Sequence, residues 1–303
     1  MAASAKPSQL YAKELGPDCI ACLCRQYLSA APGDAPWELR SAYMRQALSA
    51  ISEGSRDLTA PEIGYRLDGL LRELLGVEED RTEEKRRLNE LVMGWEDDLW
   101  RKVMAAEDPI ALAARLAACG NYVDFSVQES VEEDVLARFL ERAHADEKGQ
   151  DGSFTVVSEA LREAGSLVLL ADNCGEIVLD KVLLRTVKSL NPACEATVVV
   201  RGERVSGDVT LADARQVGLG ELARVVSNGN GVAGTCERLL SDEARRALAS
   251  ADVVVSKGLA NFETLRGRQV GDAKTFFLFM VKCELYAREF GASRGDVMAV
   301  RGV

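Results

Sequence analysis

Leu167-Val-Leu-Leu-Ala171 runs directly into Asp172-Asn173-Cys174-Gly175-Glu176, with a helix expected over 176–190. A short apolar run closed by a polar turn that opens a helix is the unit from which buried parallel sheets are built. The same alternation continues outward from it. Further strands are expected at Ala196–Val200, Ala223–Val226, Val253–Val255, Thr275–Val281 and Val297–Val300. Helices around 209–217, 236–250 and 283–290 fall between them. Strands that alternate with helices imply an α/β fold: a three-layer α/β/α arrangement around a mostly parallel, Rossmann-like sheet.

Upstream, the period changes to that of helices. Leu88, Leu91, Val92, Trp95, Leu99 and Val103 recur at helical spacing in a charged background. Segments 38–53, 62–75 and 107–119 read similarly, with Pro61 and Pro109 placed where helix starts accept proline. The run Glu78 to Arg87 reads as a solvated helix face, and Trp37, Trp95 and Trp100 as packing residues. A polar stretch, Ala145 to Ser153, separates the two patterns. The expected organisation is an N-terminal helical domain over 1–150 and an α/β domain over 151–303.

Composition narrows the function. Net charge is −11 over 303 residues, which opposes nucleic acid as a partner, because binding a phosphate backbone needs a local excess of Lys and Arg. A few cations focused in one cleft can still hold a small anion. No apolar run approaches the roughly 20 residues needed to span a bilayer, and Met1 to Gln9 lack the apolar core of a signal peptide. Eight cysteines scattered through a chain of this size suit a reducing cytoplasm. The single histidine, His144, leaves little room for multi-histidine metal sites or a Ser-His-Asp triad.

Ligands of open α/β sheets bind beyond the carboxyl ends of the strands. Asp172 and Asn173 follow the first strand, and Ser206-Gly207-Asp208-Val209-Thr210 closes the loop after the second. Ser256-Lys257-Gly258, then Asn261 and Glu263, follow the fourth; Lys282-Cys283 follows the fifth. Each alone is ordinary, since an Asp after a strand is most often a helix cap. Together they describe a hard-cation site beside a phosphate clamp. Asp172, Asn173 and Asp208 offer oxygen ligands suited to Mg²⁺ or Mn²⁺, while Lys257 and Lys282 would stabilise phosphoryl oxygens.

These motifs resemble a known family. Asp172-Asn173-x-Gly175-Glu176, Gly207-Asp208-Val209-Thr210-x-x-Asp213-Ala214 and Ser256-Lys257-Gly258-x-x-Asn261-x-Glu263 are similar to the ordered motifs of the DUF89 damage-control phosphatases. Gly120-Asn121-Tyr-Val-Asp124 looks like that family's GN-x-x-D element, and Cys19-x-x-Cys22 with Lys282-Cys283 looks like its prokaryotic subfamily. The resemblance implies a divalent metal (Mg, Mn, Ni or Co) held by Asp172, Asn173 and Asp208. It also implies hydrolysis of sugar phosphates or damaged phosphometabolites, with Lys282 contacting phosphate and Asn121, Asp124, Gly258, Asn261 and Glu263 near the substrate. Whether water or Asp172 attacks stays open at this point. Two positions depart from the family pattern: Gly207 stands where Asn is common, and Met280 where Lys is frequent.

Competing readings are weaker. Gly229-Asn-Gly231-Val-Ala-Gly234 matches G-x-G-x-x-G, which could hold a dinucleotide or S-adenosylmethionine. The acid expected to end the following strand is missing, because Asp252 begins one instead. A carboxyl methyltransferase therefore remains as the alternative activity, and a non-catalytic metabolite-binding module as the alternative class. A dehalogenase-type phosphatase needs a second Asp where Cys174 stands. Cys19, Cys22 and Cys24 lack a second CxxC or a nearby histidine for structural zinc, so buried thiols are the ordinary reading.

Overall fold

The computed structural model describes residues 14–120 and 153–302, and elements are numbered over those residues. One sheet contains β1 (Ser166–Leu170), β2 (Glu195–Val200), β3 (Arg224–Ser227), β4 (Val253–Lys257), β5 (Lys274–Met280) and β6 (Val297–Arg301). Their spatial order is β3-β2-β1-β4-β5-β6. The first five strands are parallel, and β6 runs antiparallel to β5. Every expected strand is present, because central parallel strands are buried on both faces and must be apolar throughout.

Successive residues of β1 serve opposite layers. Leu167 and Leu169 join the core that α6 (Pro109–Ala118), α8 (Glu176–Leu190) and α9 (Leu211–Gln216) cover. Val168 and Leu170 join the core under α10 (Asp242–Ala249), α11 (Gly258–Leu265) and α12 (Glu284–Phe290). The three-layer architecture follows. Thr210 and Asp213 form a capping box, so α9 starts two residues later than expected. The single helix expected over 236–250 is instead a short 3₁₀ turn followed by α10, because Ser241 Oγ accepts a hydrogen bond from Ala244 N and caps a new start.

The helical half contains α1 (Pro17–Ser29), α2 (Trp37–Gly54), α3 (Ala60–Leu75), α4 (Thr82–Met93), α5 (Glu96–Met104), α6 and, beyond the undescribed segment, α7 (Phe154–Glu163). The domain boundary expected at 150 lies outside the described residues. Hydrophobic clustering divides the chain after α3: Leu23, Tyr43, Ile51, Ile63 and Leu67 form a separate core. Leu88, Val92, Leu99 and Val103 of α4 and α5 instead join the sheet's own core. Their apolar spacing is broken into two helices at Gly94 and Trp95.

Two packing expectations are corrected. Trp37, at the start of α2, is 75% exposed, whereas Trp95 and Trp100 pack against the core. Lys85 is not a solvated charge: its Nζ lies 2.7 Å from Asp213 Oδ2 in a buried pair joining α4 to α9. Among the described residues no helix is long and apolar enough to cross a membrane.

Candidate functional site

Winding reverses between β1 and β4, which lie side by side, and a crevice opens beyond their carboxyl ends. Asp172 leaves β1 there. Its Oδ2 accepts a hydrogen bond from Asn173 Nδ2 at 2.7 Å. Across the crevice, a Cβ on Gly258 would lie 2.0 Å from that same oxygen, and Gly258 has φ 76°. Only glycine allows both the left-handed backbone and the close approach of the carboxylate. Gly175, φ 78°, turns the chain into α8, and its N–H donates to Asn89 Oδ1 at 2.7 Å. Asn89 is fully buried in α4, and its Nδ2 donates to Gln216. It is a site-building residue that sequence reasoning missed, hidden in a charged run.

Asp208 arrives on a hairpin laid against the first motif. Val209 N donates to Asp172 O at 2.8 Å and Cys174 N to Gly207 O at 2.9 Å, so Asn173 and Asp208 pair as an isolated antiparallel bridge. Ser206, just before it, takes φ 37°, a strained conformation for a residue with a side chain. Its Oγ accepts from Arg81 Nη1 at 3.1 Å. A Cβ at Gly207 would stand 3.3 Å from Asn173 Oδ1, so this departure from the family pattern leaves room beside the amide oxygen. Thr210, not Asp208, caps α9, which leaves the Asp208 carboxylate for the site.

Arg201, at the end of β2, was not anticipated. It is 1% exposed; its Nε donates to Asp208 Oδ2 at 2.6 Å and its Nη1 to Gly234 O at 2.9 Å. Its Nη2 lies 3.9 Å from Asp172 Oδ1. Burial pushes the Asp208 carboxyl upward from its ordinary range, and the adjacent Arg201 guanidinium opposes that shift.

Lys257 is placed differently from its expected role. Its ammonium is fully buried and donates to Ala117 O, Glu176 Oε1 and Asp180 Oδ1 at 2.6–2.7 Å. All three N–H donors are engaged behind the site, so in this structure the phosphate clamp does not include Lys257. Burial raises Glu176 to about 8, against the pull of Lys257. Asn261 is also tied into the framework: its Nδ2 donates to Ala171 O and Lys257 O, and its Oδ1 accepts from Thr235 Oγ1. Asn121 and Asp124 lie outside the described residues.

Lys282 and Glu263 meet at a cavity of about 620 Å³ that also draws on Tyr27, Tyr65 and Asp68 from the helical half and Arg294 from the far end of the chain. Lys282 is close enough for its charge to lower the Asp208 pKa. Asp172 and Asp208 are buried and are not among the residues that line that cavity. Cys19, Cys22 and Cys283 reach the same wall as free thiols. The buried-thiol reading is therefore corrected, since Cys22 is exposed and Cys19 half-buried. Burial first, then Glu263, raises the Cys19 thiol to about 11. Gly229–Gly234 does not form a dinucleotide loop: Gly234 O holds Arg201, and Asn230 O accepts from Gly202 N.

The donor set suits a hard divalent cation. Two carboxylates and an amide oxygen converge with no sulfur or imidazole among them. The Gly258 contact fixes one carboxylate, and the hairpin fixes the other. Among the described residues no cluster of three or more His, Cys, Asp or Glu is arranged to hold a metal.

Comparison with known proteins identifies the family. A family model described as the damage-control phosphatase ARMT1-like domain matches residues 15–298. A damage-control phosphatase of Archaeoglobus fulgidus is 34% identical over 295 residues, covering 94% of this chain and 98% of that one. A damage-control phosphatase of Pyrococcus horikoshii is 28% identical over 291 residues, covering 94% and 96%. The crystal structure of a DUF89 family protein from Pyrococcus horikoshii superposes with a TM-score of 0.80 at 25% identity, covering 96% of this chain and 99% of that chain.

Proposed function

The chain belongs to the damage-control phosphatase ARMT1-like family, and from that membership we propose that it hydrolyses phosphate monoesters of small metabolites, damaged ones among them, with a divalent metal. The observation that carries this reading is the convergence of Asp172, Asn173 and Asp208 at the reversal of the sheet. Asp172, Asn173 and Asp208 would hold Mg²⁺, Mn²⁺, Ni²⁺ or Co²⁺. When bound, the ion supplies Lewis-acid polarisation of a phosphoryl oxygen. Lys282 would neutralise the phosphate from the cavity side, with Glu263, Tyr65 and Arg294 around the rest of the substrate. The nearly complete burial of the two carboxylates excludes bulk water and strengthens every charge interaction there. The cysteine pattern supports assignment to the CxxC subfamily and a cytoplasmic setting.

A methyltransferase is disfavoured because the glycine-rich loop is turned toward Arg201 rather than left open to a cofactor. A pure binding module has no need of two anionic ligands beside a buried guanidinium. The test is phosphate release from an aryl phosphate and a panel of sugar phosphates, using chelated protein resupplied with one metal at a time. Asp172→Ala and Asp208→Ala should each lower metal-dependent turnover by about 10²- to 10³-fold while circular dichroism stays unchanged. Wild-type turnover in either variant would remove the assignment. No release with any metal would move the inquiry to S-adenosylmethionine binding.

A further inference from the structure

We propose that Arg201 is the positioning residue of the metal cage, holding Asp208 and Asp172 as a rigid pair so that affinity for the divalent ion depends on it. The inference rests on the metal reading above and goes beyond it, because no motif or comparison draws attention to this arginine. Arg201 leaves β2 and is buried between both ligand carboxylates. Its donors are divided among three structures: Nε on Asp208 Oδ2 at 2.6 Å, Nη1 on the Gly234 carbonyl at 2.9 Å, and Nη2 facing Asp172 Oδ1 at 3.9 Å.

The last of these carries the inference. Nη2 is buried without a hydrogen-bond partner, and 3.9 Å is too long for one. An orphaned buried donor is costly, so its retention asks for a reason. Asp172 cannot turn away from it freely. Its Oδ2 is held by Asn173 Nδ2 and wedged against the Gly258 Cα, which leaves Oδ1 toward the guanidinium. A movement of Asp172 by about one ångström would complete the bond. The planar fork then fixes both carboxylates in one frame, a geometry that a lysine ammonium cannot reproduce. The Gly234 carbonyl keeps the fork from rotating, which gives the glycine-rich loop its purpose.

The experiment measures Mn²⁺ binding to the metal-free protein by electron paramagnetic resonance of unbound Mn²⁺, with no turnover involved. Arg201→Met should weaken binding by about 10- to 100-fold, the usual penalty for losing a residue that orients metal ligands. Arg201→Lys should fall between, because one ammonium cannot serve Asp208, Gly234 and Asp172 together. Its Mn²⁺ dissociation constant should rise even at a temperature where circular dichroism shows the metal-free variant fully folded, a change that a purely structural arginine would not produce. If Arg201→Met fails to fold, Arg201→Lys decides alone through its Mn²⁺ dissociation constant and the Mn²⁺-induced rise in Tm. Wild-type or tighter Mn²⁺ binding in the folded variants overturns the inference. Wild-type protein that binds no Mn²⁺, or binds it equally after Asp172→Ala, overturns the metal reading itself.

Discussion

At the end of β4, a lysine invites a phosphate-binding role, yet the Lys257 ammonium faces Glu176, Asp180 and the Ala117 carbonyl. Two carboxylates and one ammonium share a dry compartment, where burial pushes both carboxyls upward against the pull of Lys257. Removing the cation leaves the acids uncompensated. Lys257→Met should destabilise the protein by about 3–5 kcal/mol in urea at pH 7. Glu176→Gln keeps the oxygen that accepts from Lys257 and mimics the protonated acid, so it should cost no more than about 1 kcal/mol. A Lys257→Met protein of wild-type stability that has lost turnover would return this lysine to direct contact with substrate.

Among the elements, α3 is tied to the α/β half by its first turn. Glu62 closes the capping box with Thr59 and also accepts from Cys236 Sγ and Arg238. Burial pushes its pKa upward, but the hydrogen bonds from Cys236, Thr59 and Arg238 outweigh burial and hold it at about 2. A depressed carboxylate stabilises the fold above its unfolded pKa and loses that contribution as pH falls through the folded one. The window runs from about pH 4.5 to about 2. Glu62→Gln should cost on the order of 1 kcal/mol at pH 6, after screening by solvent, and little at pH 2, as read by denaturant titration at both pH values. An equal cost at both would show that the charge is not what matters.

Elements of this kind differed in how far they could be read in advance. The strands were legible because burial on two faces forces continuous apolar runs. The break at Gly94 was not, since Leu91, Val92, Trp95 and Leu99 keep helical spacing through it. α11 was missed because it begins at Gly258 with no intervening loop after β4. That Asp172, Asn173 and Asp208 lie beyond strand ends could be read from the sequence. Arg201 and Asn89 could not, because their importance lies in groups that folding brings to them from distant segments.

For the whole molecule, the decisive feature is a cavity whose walls come from both ends of the chain. Lys282 lines that cavity, where we propose it meets phosphate. Lys282→Ala should raise KM for phosphate esters by about tenfold or more and leave Mn²⁺ affinity nearly unchanged. An unchanged KM would remove it from the substrate's path. The thiols at the same wall, together with Arg294 and Asp18, set a further condition. Residues 18–27 leave the ribosome early, whereas residues 282–294 follow more than 250 residues later, seconds to a minute at ordinary elongation rates. Asp172 and Asp208 are thus made before the cavity's last wall, so an unfinished chain holds both carboxylates without that enclosure.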